Sequence, residues 1–137
     1  MSTAPILRTY VDSLITGTLE AILPCFTDDA VVHSPLYGRH LARDYFPVLL
    51  ADSAPSTTTV RRTYTDPDNP TEVAVFFSYD WVLSNGVAAP MDVVDLITLT
   101  EDRTKISQLV IVYDTSSLRG EWEKVATLVA PLSTSVG

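Results

Sequence analysis

The spacing of apolar residues changes partway along the chain. From Pro5 to Thr16 they fall at Ile6, Leu7, Tyr10, Val11, Leu14 and Ile15, the offsets of one broad helical face. Pro5 suits a first helical turn, Ser2 or Thr3 supplies a cap, and Gly17 supplies a left-handed stop. Thr18 opens a second short helix, Leu19 to Phe26, with Leu19, Ile22, Leu23 and Phe26 turned inward and Pro24 disturbing its last turn. Ala30 to His33 reads as a short strand halted by Ser34-Pro35. Arg39 to Leu50 reads as a third helix, with Pro47 marking a kink or an early end.

From Thr57 onward the period is that of a sheet. Strands are expected over 57–65, 72–83, 88–100 and 105–113, separated by turns at Asp66-Pro67-Asp68-Asn69-Pro70, Ser84-Asn85-Gly86 and Glu101-Asp102-Arg103-Thr104. A short helix over 118–128 and a loose tail of small residues over 129–137 complete the chain. Helices followed by a meander of antiparallel strands define an α+β class, with helices on one face of a curved sheet and a single domain spanning 1–137. The long strands are apolar on both faces. Val75, Phe77, Tyr79 and Trp81 share one side, with Phe76 and Val82 on the other beside Ser78 and Asp80. Leu109, Ile111 and Tyr113 likewise oppose Ile106, Val110 and Val112. Helices cover only one of these faces, so a second subunit is the simplest cover for the outer face, and a homodimer is expected.

Composition narrows the partners. The chain has 137 residues, 46% hydrophobic and 19% charged, an ordinary globular balance. A net charge of −8 argues against nucleic acid and anionic membranes. Its one cysteine, Cys25, makes an intramolecular disulfide impossible and has no evident base partner. The first residues lack a basic region followed by an apolar run, and no apolar run approaches the roughly 20 residues that span a bilayer, so a cytoplasmic location is expected. His33 and His40 form no metal-binding spacing, and neither a glycine-rich phosphate loop nor Gly-x-Ser-x-Gly occurs, so no metal or cofactor is expected.

Four pieces carry a family resemblance. They are Tyr10-Val11, Gly17-Thr18-Leu19, Phe26-Thr27-Asp28-Asp29-Ala30-Val31-Val32 and Ala89-Pro90-Met91-Asp92. Together, over about residues 5–118, the chain resembles the nuclear transport factor 2-like superfamily, with SnoaL-like polyketide cyclases and ketosteroid isomerases nearest in pattern. The resemblance implies a cone-shaped, curved antiparallel sheet packed against three N-terminal helices, the α+β barrel also described as cystatin-like. It also implies an apolar small-molecule ligand, and an oxyanion hole made by a helix-one tyrosine and a protonated aspartic acid, which fall here on Tyr10 and Asp92. The family's proton-shuttling aspartate precedes a proline at the end of the first strand. Here Ser34 precedes Pro35, and a serine cannot serve as that base.

Each candidate has a plainer role beside it. Asp92 is either a neutral acid aimed at a substrate oxygen or a strand-end carboxylate bonded to backbone or solvent. Tyr10 is either a donor on the pocket floor or a core ring with its tip bonded elsewhere. His33 is a ready base by type, but alternation turns it away from Ser34 and the pocket, while His40 falls on a solvated helix face. Asp114 is a base at the pocket mouth, as in SnoaL-like chains, or a cap for the last helix. Phe26, Ser34, Phe46, Val75, Phe77, Tyr79, Trp81, Leu109, Ile111 and Tyr113 line a hollow or simply fill the core. Asp95 with Arg61 would match the water-activating set of epoxide hydrolases of this fold. Asp95 lies on the opposite parity to Asp92, so an Asp95–arginine pair at a subunit interface is the plainer expectation. The functions that follow are cofactor-free isomerisation, cyclisation or dehydration of an apolar carbonyl or enol compound, or a non-catalytic ligand-binding or dimerising module.

Overall fold

The structure, a computed structural model, describes residues 4–126. The order is α1 (Pro5–Thr16), α2 (Leu19–Ile22), β1 (Phe26–Ser34), β2 (Gly38–Leu41), α3 (Ala42–Ala51), β3 (Ser53–Asp66), β4 (Asn69–Leu83), β5 (Ala88–Leu99), β6 (Ile106–Val112) and α4 (Arg119–Ala126). The chain is thus α+β, with a curved open sheet of six strands and four helices. The strands lie in the order β2-β1-β6-β5-β4-β3. From β3 to β6 the sheet is the expected antiparallel meander, but β1 lies parallel to β6, which carries the N-terminal third back to the far side of the sheet. The loose tail expected over 129–137 lies outside the described residues.

The helix ends follow their chemistry. Pro5 sits in the first turn of α1, where a missing N–H costs nothing, and the cap residue Ala4 offers no side chain to it. Gly17 closes α1 at φ 73°, and its N–H reaches the Ser13 carbonyl. Pro24 tightens the end of α2 into a 3-10 turn, Leu23–Cys25, rather than letting the helix run to Phe26. α3 continues through Pro47 without ending there.

One sequence expectation fails outright. Residues 38–41 do not begin a helix. They form β2 and return antiparallel along β1, pairing Gly38 with Ser34 and Leu41 with Val31. The ladder gives those backbone groups partners that an isolated first helical turn would lack. His40 is therefore buried, 3% exposed, with Nε2 2.7 Å from the Tyr37 carbonyl, and not on a solvated helix face.

Register decides what faces the core. In the β4–β5 hairpin Val75 opposes Asp95, Phe77 opposes Val93 and Tyr79 opposes Met91, while Ser78 opposes Asp92. Directly opposed residues share a face, so the odd-numbered set points at the helices and the even-numbered set points away. α1 and α3 press Leu7, Tyr10, Val11, Tyr45 and Phe46 onto the inner face, against Val75, Phe77, Val93, Ile97 and Leu109. A second, smaller cluster (Leu36, Trp81, Leu83, Ala89, Leu118 and Val125) lies where α4 meets the sheet. The outer face leaves Leu96, Val112 and Tyr64 exposed. Among the described residues no helix is long and apolar enough to cross a membrane.

Candidate functional site: an acid and a phenol at an aromatic hollow

A hollow of about 90 Å³ remains between the inner face of the sheet and helices α1 and α3. Tyr10, Tyr45, Phe46, Phe77, Tyr79, Trp81 and Tyr113 supply aromatic walls, and Leu14, Leu49, Met91, Val93, Leu109 and Ile111 supply aliphatic ones. Asp95 is the one carboxylate and the only formally charged side chain among the residues lining it.

Asp95 reaches this position through strand parity alone. It stands opposite Val75, on the inner face of β5, and is 2% exposed. Tyr10, on the buried side of α1, donates its hydroxyl to Asp95 Oδ2 at 2.5 Å. The other carboxylate oxygen, Oδ1, is buried without a partner among the described residues. Burial pushes the Asp95 carboxyl up to about 7, and the Tyr10 hydrogen bond offsets part of that rise by favouring the ionised form. Tyr10 itself is raised well above the ordinary phenol range, first by burial and then by the charge of Asp95, so it stays a donor. Tyr45 is raised in the same way by burial. Burial lifts Tyr113 to about 12, against the hydroxyl of Ser34. The hollow therefore holds one group that exchanges a proton near neutrality, ringed by phenols that do not.

The acid that meets Tyr10 is Asp95, not Asp92. Asp92 is exposed on the outer face, where Ser78 Oγ donates to its Oδ1 at 2.9 Å and Arg61 Nε donates to Ser78 Oγ at 3.0 Å. This also separates Arg61 from Asp95 by the thickness of the sheet, so the water-activating pair is not assembled. Asp95 lies buried on the inner face with Tyr10 as its partner, and not on the outer face where Arg61 stands. His33 lies on β1 with the parity opposite to buried Ser34 and is not at the hollow. Asp114 is exposed and caps a turn, accepting the Ser116 N–H at 2.9 Å, and that bond holds its carboxyl below the usual range.

Of the expected lining residues, Phe46, Phe77, Tyr79, Trp81, Leu109, Ile111 and Tyr113 do border the hollow. Phe26, Ser34 and Val75 do not. Phe26 packs edge-on against Tyr10 at 5.8 Å and Val75 is fully buried, both as core, while Ser34 Oγ accepts the Tyr37 N–H at 3.2 Å. Tyr45, Met91 and Thr58 border the hollow without having been singled out. The hairpin turn at Ser84-Asn85-Gly86 held the signal for Asp95. Counting outward from it pairs residue 95 with residue 75, already placed on the inner face.

With this geometry in place, comparison with known proteins is informative. Residues 7–108 match the model of the SnoaL-like domain, and the chain belongs to that family. No curated protein matches it. Several solved structures share the fold at low identity. A protein of ketosteroid isomerase-like fold from Catenulispora acidiphila, solved with trimethylamine, has a TM-score of 0.71 at 13% identity, covering 89% of this chain and 95% of its own. TerC, co-crystallised with polyporic acid, has a TM-score of 0.70 at 16% identity, covering 86% and 95%. PrhC from Penicillium brasilianum has a TM-score of 0.69 at 13% identity, covering 90% and 86%. At these identities the likeness establishes the fold and not a reaction.

Proposed function

We propose that this SnoaL-like chain binds a compact apolar molecule and that Asp95, in its neutral form, donates a hydrogen bond to a carbonyl or enol oxygen of that molecule. The unpartnered Oδ1 of Asp95 carries the reading. It is a buried polar atom at an otherwise apolar hollow, and such atoms are costly unless something completes them. Tyr10 has a single hydroxyl proton, already given to Oδ2, so it acts by positioning the carboxyl rather than by touching the ligand. A neutral acid so placed stabilises charge developing on oxygen, which serves isomerisation, cyclisation or dehydration without a cofactor. The two ligand-bound neighbours, one with polyporic acid and one with trimethylamine, support a small-molecule site in this fold.

A second reading, binding without turnover, is favoured by the placement of His33, Asp92 and Asp114 away from the hollow, since Asp95 is left as the one carboxylate among the described residues there. The outer face, with Leu96, Val112 and Tyr64 exposed along one parity, suits a second copy of the chain.

Thermal shift and calorimetry with phenol and cyclohexanone across about pH 5.5 to 8.5 test the reading. Neutral ligands should bind more tightly below the Asp95 transition at about 7, where the carboxyl is a donor. Trimethylammonium, a cation, should show the opposite trend. Binding of phenol and cyclohexanone that ignores pH and survives Asp95→Ala undiminished would end the assignment.

A further inference from the structure

Beside the hollow lies a second, larger recess of about 400 Å³, formed where the C-terminal ends of α1 and α3 meet the start of β3. Its walls include Thr16, Ser53, Ala54, Pro55 and Ser56, none of which borders the hollow. Five residues border both spaces: Leu14, Gly17, Leu50, Thr58 and Tyr79. The recess and the hollow are thus neighbours across a partition one side chain thick, and Tyr79 is its only aromatic member.

The two spaces differ in what they would accept. The hollow, at about 90 Å³, is the smaller part of the combined space. With the recess added, the volume enters the roughly 300–1,000 Å³ range of small-molecule sites. The recess mixes aliphatic walls with hydroxyls and contains no charged side chain, although the chain has 17 acidic and nine basic residues. Its serines are fixed in place. Trp81 Nε1 donates to Ser53 Oγ at 2.7 Å, and the Val82 N–H donates to Ser56 Oγ at 2.9 Å across the irregularity between Ala54 and Thr57. Tyr79 stacks on Trp81 with an interplanar angle of 18°, and its phenol lies against these same serines. The ring thus stands on a fixed shelf at the border of the two spaces.

We propose that the recess is the second compartment of the ligand site: the ligand places a compact ring at Asp95 and an uncharged tail past Tyr79 into the recess. The substrate class is then a phenol or cyclic ketone with a neutral alkyl or hydroxyalkyl tail, and Tyr79 sets how much tail is admitted. This rests on the reading of Asp95 given above, and the test separates the two.

The probes are phenol, 4-propylphenol, 4-hexylphenol and 4-(carboxypropyl)phenol, with affinity measured by calorimetry on the wild-type chain, Thr16→Trp and Asp95→Ala. Thr16 is exposed, ends α1 and borders only the recess, so a tryptophan there fills the recess without entering the hollow. Affinity should rise about two- to fourfold per added methylene, as expected for apolar groups leaving water. Thr16→Trp should remove that gain and leave phenol itself unchanged, and the carboxylated tail should show no gain. A flat series on a chain that binds phenol in an Asp95-dependent way overturns the second compartment and leaves the head site standing. A rising, Thr16-sensitive series that Asp95→Ala does not weaken supports the compartment and overturns the Asp95 reading. No binding by any probe overturns both.

Discussion

Tyr10 donates to Asp95 at 2.5 Å, and Tyr37 donates to Asp52 at the same distance, so one chemistry recurs in two settings. Asp52 follows α3, is 1% exposed, and is tied down on every side. Its N–H donates to the Val48 carbonyl at 3.0 Å, and its own carbonyl accepts the Ser84 N–H at 2.8 Å. Tyr37 packs edge-on against Tyr45 and Trp122, which joins α3 and α4 through one ring. This pair is a clasp among the end of α3, the β4–β5 turn and α4. The Asp95 pair sits at a hollow and keeps one oxygen unpartnered. The hydrogen bond is common to both, so it does not set them apart. The unpartnered oxygen beside the hollow does.

The largest effect that separates the pairs is a pH dependence of stability. The folded Asp95 carboxyl titrates at about 7, above its ordinary value of 3.8, so the folded state favours the protonated form. Its contribution is fully present below the ordinary value and is lost as pH rises through about 7, by roughly 4 kcal/mol at 1.36 kcal/mol per unit. Asp95→Asn should abolish this fall and leave the variant more stable than wild type at pH 8 in urea unfolding. A wild-type stability that stays level from pH 4 to pH 8 would contradict the buried, proton-seeking carboxyl.

Tyr37→Phe comes next. It leaves Asp52 Oδ2 without its donor, at a cost of about 1–3 kcal/mol. The loss should appear in melting temperature with ligand affinity unchanged, and any drop in phenol affinity would erase the distinction between clasp and site. Tyr10→Phe should have an intermediate effect. Without the bond that favours the ionised form, the acid-linked midpoint of ligand binding should move up, while binding at pH 5.5 persists. The smallest effect belongs to Asp92→Asn. Its exposed bond to Ser78 contributes little, so stability should change by less than about 0.5 kcal/mol and affinity not at all.

The contrast between Asp92 and Asp95 also shows how far the sequence could be read. Helix α1, the meander from β3 to β6 and the class of fold were legible because they rest on local periodicity and on turns rich in Gly, Pro and Asn. Tyr10 was legible for the same reason, as one position on a buried helical face. Asp95 required the register of a hairpin. The inner placement of Val75 and the turn at Ser84-Asn85-Gly86 together implied it, but the Ala-Pro-Met-Asp resemblance drew attention to a residue of the other parity. Strand β2 was hidden because Leu41, Tyr45, Phe46 and Leu49 keep a helical spacing, which the ladder with β1 overrides for the first three residues of the expected helix. The recess was not legible at all, since it arises where the ends of three distant elements meet.

The parallel alignment of β1 with β6 has a consequence for synthesis. Residues 31–33 find their β2 partners at 39–41 but their β6 partners only at 108–110, and Tyr10 precedes Asp95 by 85 positions. At roughly 5–20 residues per second, a ribosome takes about 4–17 s to cover that interval. Through that time β2 and α3 are already beside β1, but the edge of β1 that pairs with β6 and the Tyr10 side of α1 lack their sheet partners. Nascent chains arrested before β6 should therefore be the ones that chaperones hold and proteases find.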